Sequence, residues 1–97
     1  MIEEKCLELQ ASEMQAKLIN KILAQNMDKL NDKSVKNKLA YLLWSENMEI
    51  ENYMKQINII YKIVDRSITV NNYKRALRYT CLLERYVKNI ISLIENK

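Results

Sequence analysis

The absence of both glycine and proline constrains this chain more than any other feature, because its 97 residues contain neither. These two residue types most often divide a polypeptide into short elements joined by turns and loops. Without them, and with Leu, Lys, Glu, Gln, Met and Ala abundant, long helices are favoured. The length predicts one domain over residues 1–97.

The first segment has the heptad spacing of an amphipathic helix. Its main apolar row contains Ile2, Leu9, Ala16, Leu23 and Leu30. Cys6 and Met27 belong to a partner row, which also contains the polar residues Glu13 and Asn20. These two residues either fix the register of a helix pair or lie at the solvent edge of a rotated helix.

Polar residues at positions 31–34 predict a turn, with Asp32 or Ser34 as the cap of a second helix. The apolar face that starts at Val35 and the face that starts at Ile50 do not share a helical phase, and the mismatch lies at residues 45–47. We therefore expect the middle helix to be kinked or broken there, with Ser45 or Asn47 as a cap.

Two further apolar stripes follow the 4-3-4 spacing of buried helix faces. The middle stripe contains Ile50, Met54, Ile57, Tyr61, Val64 and Ile68, and the last contains Ala76, Thr80, Leu83, Val87, Ile90 and Ile94. Between them, Asn71 and Asn72 can cap a helix or adopt the left-handed conformation that glycine usually supplies. The prediction is an all-α, antiparallel three- or four-helix bundle.

The composition argues against catalysis. Without glycine there is no phosphate-binding loop or dinucleotide fingerprint, and without histidine there is no Ser-His or Cys-His nucleophile pair. Paired glutamates are too few for a bundle metal site. We expect no enzyme activity, no cofactor and no metal.

The expected location is the cytoplasm of a cell. The N-terminal residues are acidic and do not resemble a secretion signal, and the longest apolar run, residues 39–44, is too short to span a membrane. Cys6 and Cys81 are therefore expected to be buried thiols.

The middle helix carries more apolar residues than one face can hold. Ile59, Ile60 and Ile63 lie beyond its stripe, and we call these three residues the α3 patch. Either this helix is packed on two sides, or the α3 patch meets another chain. The second alternative is favoured, with a homo-oligomer as the simplest case, because two-fold dimers are the commonest oligomers.

Positive charge concentrates at the C-terminal end. Residues 66–97 carry seven basic and two acidic side chains, whereas residues 1–65 carry nine and ten. Helical spacing places Lys74, Arg78, Arg85 and Lys88 on one face, which we call the basic row, with Arg75 beside it. The row is either a solvated outer surface, a contact for nucleic-acid phosphates, or a contact for an acidic protein or membrane partner. Tyr73, Tyr79 and Tyr86 flank it.

Trp44, near the expected break, is either a core anchor that closes the bundle or a binding hot spot. Together these features predict a small non-catalytic helical protein that binds other proteins, regulates them or assembles with them. The alternative is a nucleic-acid-binding protein that uses the basic row.

Overall fold

The computed structural model describes the backbone of residues 2–96 and the side chains of residues 12–96. It contains four helices: α1 (Ile2–Asn31), α2 (Lys33–Trp44), α3 (Met48–Thr69) and α4 (Tyr73–Glu95). No strand occurs within residues 2–96. The predicted all-α bundle and the break at residues 45–47 are therefore confirmed. The side chains of Ile2, Cys6 and Leu9 lie outside the described part.

The last helix, α4, is the centre of the bundle. It packs against α1, α2 and α3, whereas α1 lies against α4 rather than against α3. Its predicted stripe is confirmed in full, since all six members are buried: Ala76, Thr80, Leu83, Val87, Ile90 and Ile94. The Thr80 hydroxyl donates a 2.8 Å hydrogen bond to the Ala76 carbonyl, so this polar member is satisfied inside the core.

Helices α3 and α4 form an antiparallel hairpin. At the turn end, the Arg75 Nε donates a 2.8 Å hydrogen bond to the Ser67 Oγ. At the other end, the rings of Tyr53 and Tyr86 pack with their centroids 5.6 Å apart. Ser67 and Ala76, both with small side chains, are fully buried near the turn.

The buried row of α3 differs from the predicted one. Ile50, Ile57 and Val64 are buried as expected, and Met54 and Ile68 are partly buried and pack against the core as expected. The burial extends to a further row on the other side of these residues, which contains Tyr53, Ile60 and Ser67. Tyr61, predicted to be buried, is 45% exposed. Apolar periodicity leaves the rotation of a helix about its axis open by a fraction of a turn, and the buried Ile60 and Ser67 show the rotation that α3 adopts.

Helix α1 runs parallel to α4. Leu18 shares a groove with Leu77, and further along both helices Gln25 and Lys29 share one with Glu84. The core residues of α1 include Ile19, Leu23 and Leu30. The polar residues Glu13 and Asn20 are exposed, so of the two alternatives the rotated helix is correct.

Two connections between helices have the same construction without glycine. After α2, the Asn47 N–H donates to the Leu42 carbonyl and the Glu46 N–H to the Leu43 carbonyl. After α3, Asn72 and Asn71 donate in the same way to Ser67 and Ile68. This is the Schellman pattern of a helix C-terminus.

Each of these turns ends in an asparagine with two tasks. The backbone N–H closes the preceding helix, and the side chain caps the next one: the Asn47 Oδ1 accepts from the Ile50 N–H, and the Asn72 Oδ1 from the Arg75 N–H. Asp32 caps α2 in the same way, accepting from the Val35 N–H. The predicted N-cap Asp32 is thus confirmed over Ser34. At the break, Asn47 is the N-cap of α3 and Ser45 the C-cap of α2, so both predicted residues are caps.

The left-handed position of each Schellman turn is held by Glu46, with φ of 58°, and by Asn71, with φ of 60°. Asparagine tolerates this region, whereas for most other residues with a Cβ it costs about 1–2 kcal/mol. The turn between α2 and α3 is therefore strained at Glu46.

We expect Glu46→Gly to raise the free energy of unfolding by about 1 kcal/mol, because glycine adopts positive φ without a steric cost. Urea denaturation followed by circular dichroism measures the change. Asn71→Gly is the matched control and should shift stability by less. A destabilised Glu46→Gly variant would show that the Glu46 side chain outweighs the strain.

Candidate interaction surfaces

The basic row lies where the sequence predicts it. Lys74, Arg78, Arg85 and Lys88 are all exposed on the outward face of α4, opposite its buried stripe. Lys88 pairs with Glu84 at 3.2 Å. Within residues 12–96, no carboxylate lies within ion-pair distance of Lys74, Arg78 or Arg85. Among the residues with described side chains, the row therefore presents three cations without an ion-pair partner.

The start of α4 is an unfavourable place for positive charge. Its first turn contains Lys74 and Arg75 and no acidic residue, although the helix dipole favours anions at this end. Helix α3 shows the favourable arrangement, with Glu49 and Glu51 in its first turn and Arg66 in its last. Lys74, Arg75 and Arg78 line a shallow concavity with Asn72 here.

The tyrosines predicted to flank the basic row turn towards the core. Tyr73, Tyr79 and Tyr86 are partly buried and pack against the core cluster. Tyr86 is held by Tyr53, and the Tyr73 hydroxyl donates to the Asn71 Oδ1 at 2.8 Å. These rings therefore offer little free face on which a base could stack.

Cys81 was expected to be buried, and this expectation is wrong. The residue lies on the exposed side of α4 as a free thiol, in a shallow groove with Arg78 and Arg85. Its position follows from the phase of the helix, since residue 81 falls on the same face as residues 74, 78, 85 and 88.

The α3 patch is only partly available to a partner. Ile60 is 3% exposed and belongs to the core, so its assignment to an interface is corrected here. Ile59 is 51% exposed and Ile63 is partly buried. The physical reason is the shift of the buried row of α3, which turns Ile60 towards α4 and leaves Ile59 outside.

A more exposed apolar surface lies where α2 meets α3. Trp44 and Met48 are each 81% exposed, and the ring of Tyr41 packs against that of Trp44 with centroids 6.4 Å apart. We call Tyr41, Trp44 and Met48 the aromatic corner. The interpretation of Trp44 as a core anchor is wrong, because the tight turn at residues 45–47 leaves it on the outside.

A second apolar surface follows the contact between α1 and α4, and sequence reasoning missed it. The α1–α4 groove is lined by Gln15, Leu18, Ile19, Tyr73, Lys74 and Leu77. Leu18 and Leu77 are both exposed, and Met14, one turn before Leu18, is also exposed. The available signal was that Met14 and Leu18 are apolar residues outside the predicted rows of the first helix. Leu77 was expected to widen the buried stripe of the last helix, but it is 46% exposed.

The possible metal ligands are the cysteine and carboxylate side chains in the part of the chain whose side chains are described. There, no group of three or more cysteine or carboxylate side chains is placed to hold a metal ion. None of the helices described combines the length and apolarity that crossing a membrane requires. Comparison with models of protein families, with curated proteins and with solved structures gives no match for this chain.

The position of Ile60 in the core predicts unequal effects for two adjacent truncations. We expect Ile60→Ala to lower the free energy of unfolding by about 2–5 kcal/mol, because it leaves a cavity beside α4. Ile59→Ala, the matched control one residue earlier, should cost less than about 1 kcal/mol. Chemical denaturation of both variants measures the difference. Equal losses would mean that Ile59 is also internal.

Proposed function

We propose that this chain is a non-catalytic helical protein that acts by binding other polypeptides, and that its simplest partner is a second copy of itself. The observation that supports this most is the aromatic corner, where Trp44 and Met48 are each 81% exposed. Clustered exposed apolar side chains mark interaction sites in soluble proteins, and tryptophan and tyrosine are enriched among the residues that dominate binding energy.

The α1–α4 groove supports the same proposal. Its exposed leucines, Leu18 and Leu77, come from two parallel helices, and such a groove can receive an apolar side chain or helix from a partner. The α3 patch is a third candidate surface. Of its three residues, Ile59 is exposed, Ile63 is partly exposed and Ile60 is buried in the core.

Self-association is tested with the wild-type protein first. Light scattering at micromolar concentration should give about twice the mass of one chain or more, since closed two-fold assemblies are the commonest. A reducing agent is required, because the exposed Cys81 could otherwise join two chains through a disulfide. A wild-type protein that stays monomeric at the highest attainable concentration would overturn self-association.

The α3 patch has its own test. If it takes part, Ile59→Lys should weaken self-association, because a charge would be buried against the partner. Tyr61→Lys is the matched control, since Tyr61 is similarly exposed on another side of α3. Equal behaviour of the two variants would remove the α3 patch from the interface.

The second candidate function is binding to nucleic-acid phosphates through the basic row. The observation that favours it is that Lys74, Arg78 and Arg85 share an exposed face with no carboxylate within ion-pair distance in residues 12–96. The inward tyrosines argue for backbone contacts rather than base stacking. Lys88, paired with Glu84, is expected to contribute less.

Three phosphate contacts should give a log-log salt slope of about −2.7 on duplex DNA, at about −0.9 per phosphate. Replacing Arg78 and Arg85 by glutamine should flatten the slope by about 1.8, equally for all sequences. The measurement is fluorescence anisotropy between about 50 and 200 mM salt.

Lys55→Gln is the matched control for this titration, because Lys55 is an exposed lysine on α3 that pairs with Glu51. It should leave the slope unchanged. If the wild-type protein does not bind at the lowest salt, where non-specific binding is strongest, the nucleic-acid function is excluded.

A further inference from the structure

Two uncovered apolar surfaces of this molecule differ in charge and lie towards opposite ends of α4. We propose that the aromatic corner of one copy docks into the α1–α4 groove of a second copy, so that chains associate head to tail. This inference rests on the proposed function, and it names the partner, the two surfaces and the symmetry of the contact.

The two surfaces cannot meet within one chain. Tyr41 and Leu42 line a cleft with Ile94, which places the aromatic corner beside the C-terminal end of α4. The groove contains Leu77, near the N-terminal end of the same helix. Leu77 and Ile94 are 17 positions apart on α4, which corresponds to about 25 Å along the helix axis at 1.5 Å per residue. A contact between them therefore requires two molecules.

The charges around the two surfaces are complementary. Glu46 and Glu49 follow Trp44 closely in the sequence, both are exposed, and neither is in an ion pair with a described residue. Lys38 lines the cleft beside Tyr41, so the acidic side of the corner is the side of Glu46 and Glu49.

The groove carries the opposite charge. Lys74 is part of its lining, and Arg78 lies one turn further along α4. Docking would bring the Glu46 and Glu49 carboxylates towards Lys74 and Arg78. Such complementarity favours the correct partner and orientation more than it adds affinity.

The groove offers open apolar space, and the corner offers an exposed ring that could enter it. The groove is open, with a volume of about 370 Å³ and leucine side chains on both walls. The corner projects an indole ring supported by Tyr41 at a centroid distance of 6.4 Å. Tryptophan and tyrosine side chains that become desolvated in a partner's pocket are enriched among hot-spot residues.

A contact that joins two different surfaces is heterologous. A docked pair still offers one free corner on one copy and one free groove on the other, so association continues into longer chains unless the rotation between copies closes a ring. A two-fold dimer, by contrast, uses the same surface on both copies and stops at two. This difference makes the proposal testable with two variants.

Trp44→Ala removes the anchor and leaves the groove intact, whereas Leu77→Glu blocks the groove and leaves the corner intact. Both residues are exposed, so both variants should keep the wild-type circular dichroism spectrum and melting temperature. In sedimentation velocity with reducing agent, the wild-type protein should form a series of species that grows with concentration. Each variant alone should bind its own kind at least about 30-fold more weakly, the loss typical of a hot-spot residue.

The decisive sample is the equimolar mixture of the two variants. The corner of Leu77→Glu can still enter the groove of Trp44→Ala, and no free productive surface then remains. We expect a one-to-one heterodimer and nothing larger. Tyr61→Ala is the matched control for loss of an exposed aromatic ring, and it should retain the wild-type series of species.

Two outcomes would overturn this inference while self-association stands. In the first, both variants associate as the wild-type protein does, which assigns the interface to another surface such as the α3 patch. In the second, the mixture stays monomeric, which means that the corner and the groove do not bind each other. A monomeric wild-type protein would instead overturn self-association itself.

Discussion

The apolar stripe of α4 is the contact on which the rest of the structure depends. Its six residues, from Ala76 to Ile94, are buried, and the helix packs against the other three. Because the inward side of α4 is fully used by α1, α2 and α3, its cations can lie only on the outward side. The basic row is therefore a geometric consequence of the core, whatever partner it serves. The packing of the core does not explain why the first turn of α4 contains cations and no acidic residue. This arrangement is unfavourable, because the helix dipole favours negative charge at the N-terminal end.

A chain without glycine must turn by other means, and here two asparagines supply them. Asn47 and Asn72 each close one helix with the backbone and cap the next with the side chain, so a connection needs only three residues. In the first connection the left-handed position is held by Glu46 at a steric cost. This turn is also what places Trp44 at the end of α2 and Met48 at the start of α3, both pointing out of the core. Backbone strain of this kind clusters at functional sites, and here it lies in the turn between Trp44 and Met48.

The sequence alone predicts the helices and their breaks well, because periodicity and caps are local properties. The stripe of α4 and the ends of helices near residues 45–47 and 71–72 follow directly from them. Periodicity does not choose between adjacent rows of similar apolarity, so Ile60 and Tyr61 exchange their expected places. It also cannot find buried polar residues such as Asn26 and Ser67, whose burial depends on how closely two particular helices approach. The α1–α4 groove was missed for the same reason, since it exists only once α1 lies parallel to α4.

Lys74 connects the two proposed activities of this molecule, because it belongs both to the basic row and to the lining of the α1–α4 groove. A second copy docked in the groove would bring the Glu46 and Glu49 carboxylates towards Lys74 and Arg78, and these cations could not then contact phosphate. Arg85, two turns further along α4, would remain free. Self-association and phosphate binding would therefore compete for the first turns of α4. High salt weakens phosphate contacts steeply but weakens the burial of Trp44 little, so the balance would shift towards self-association as the ionic strength rises.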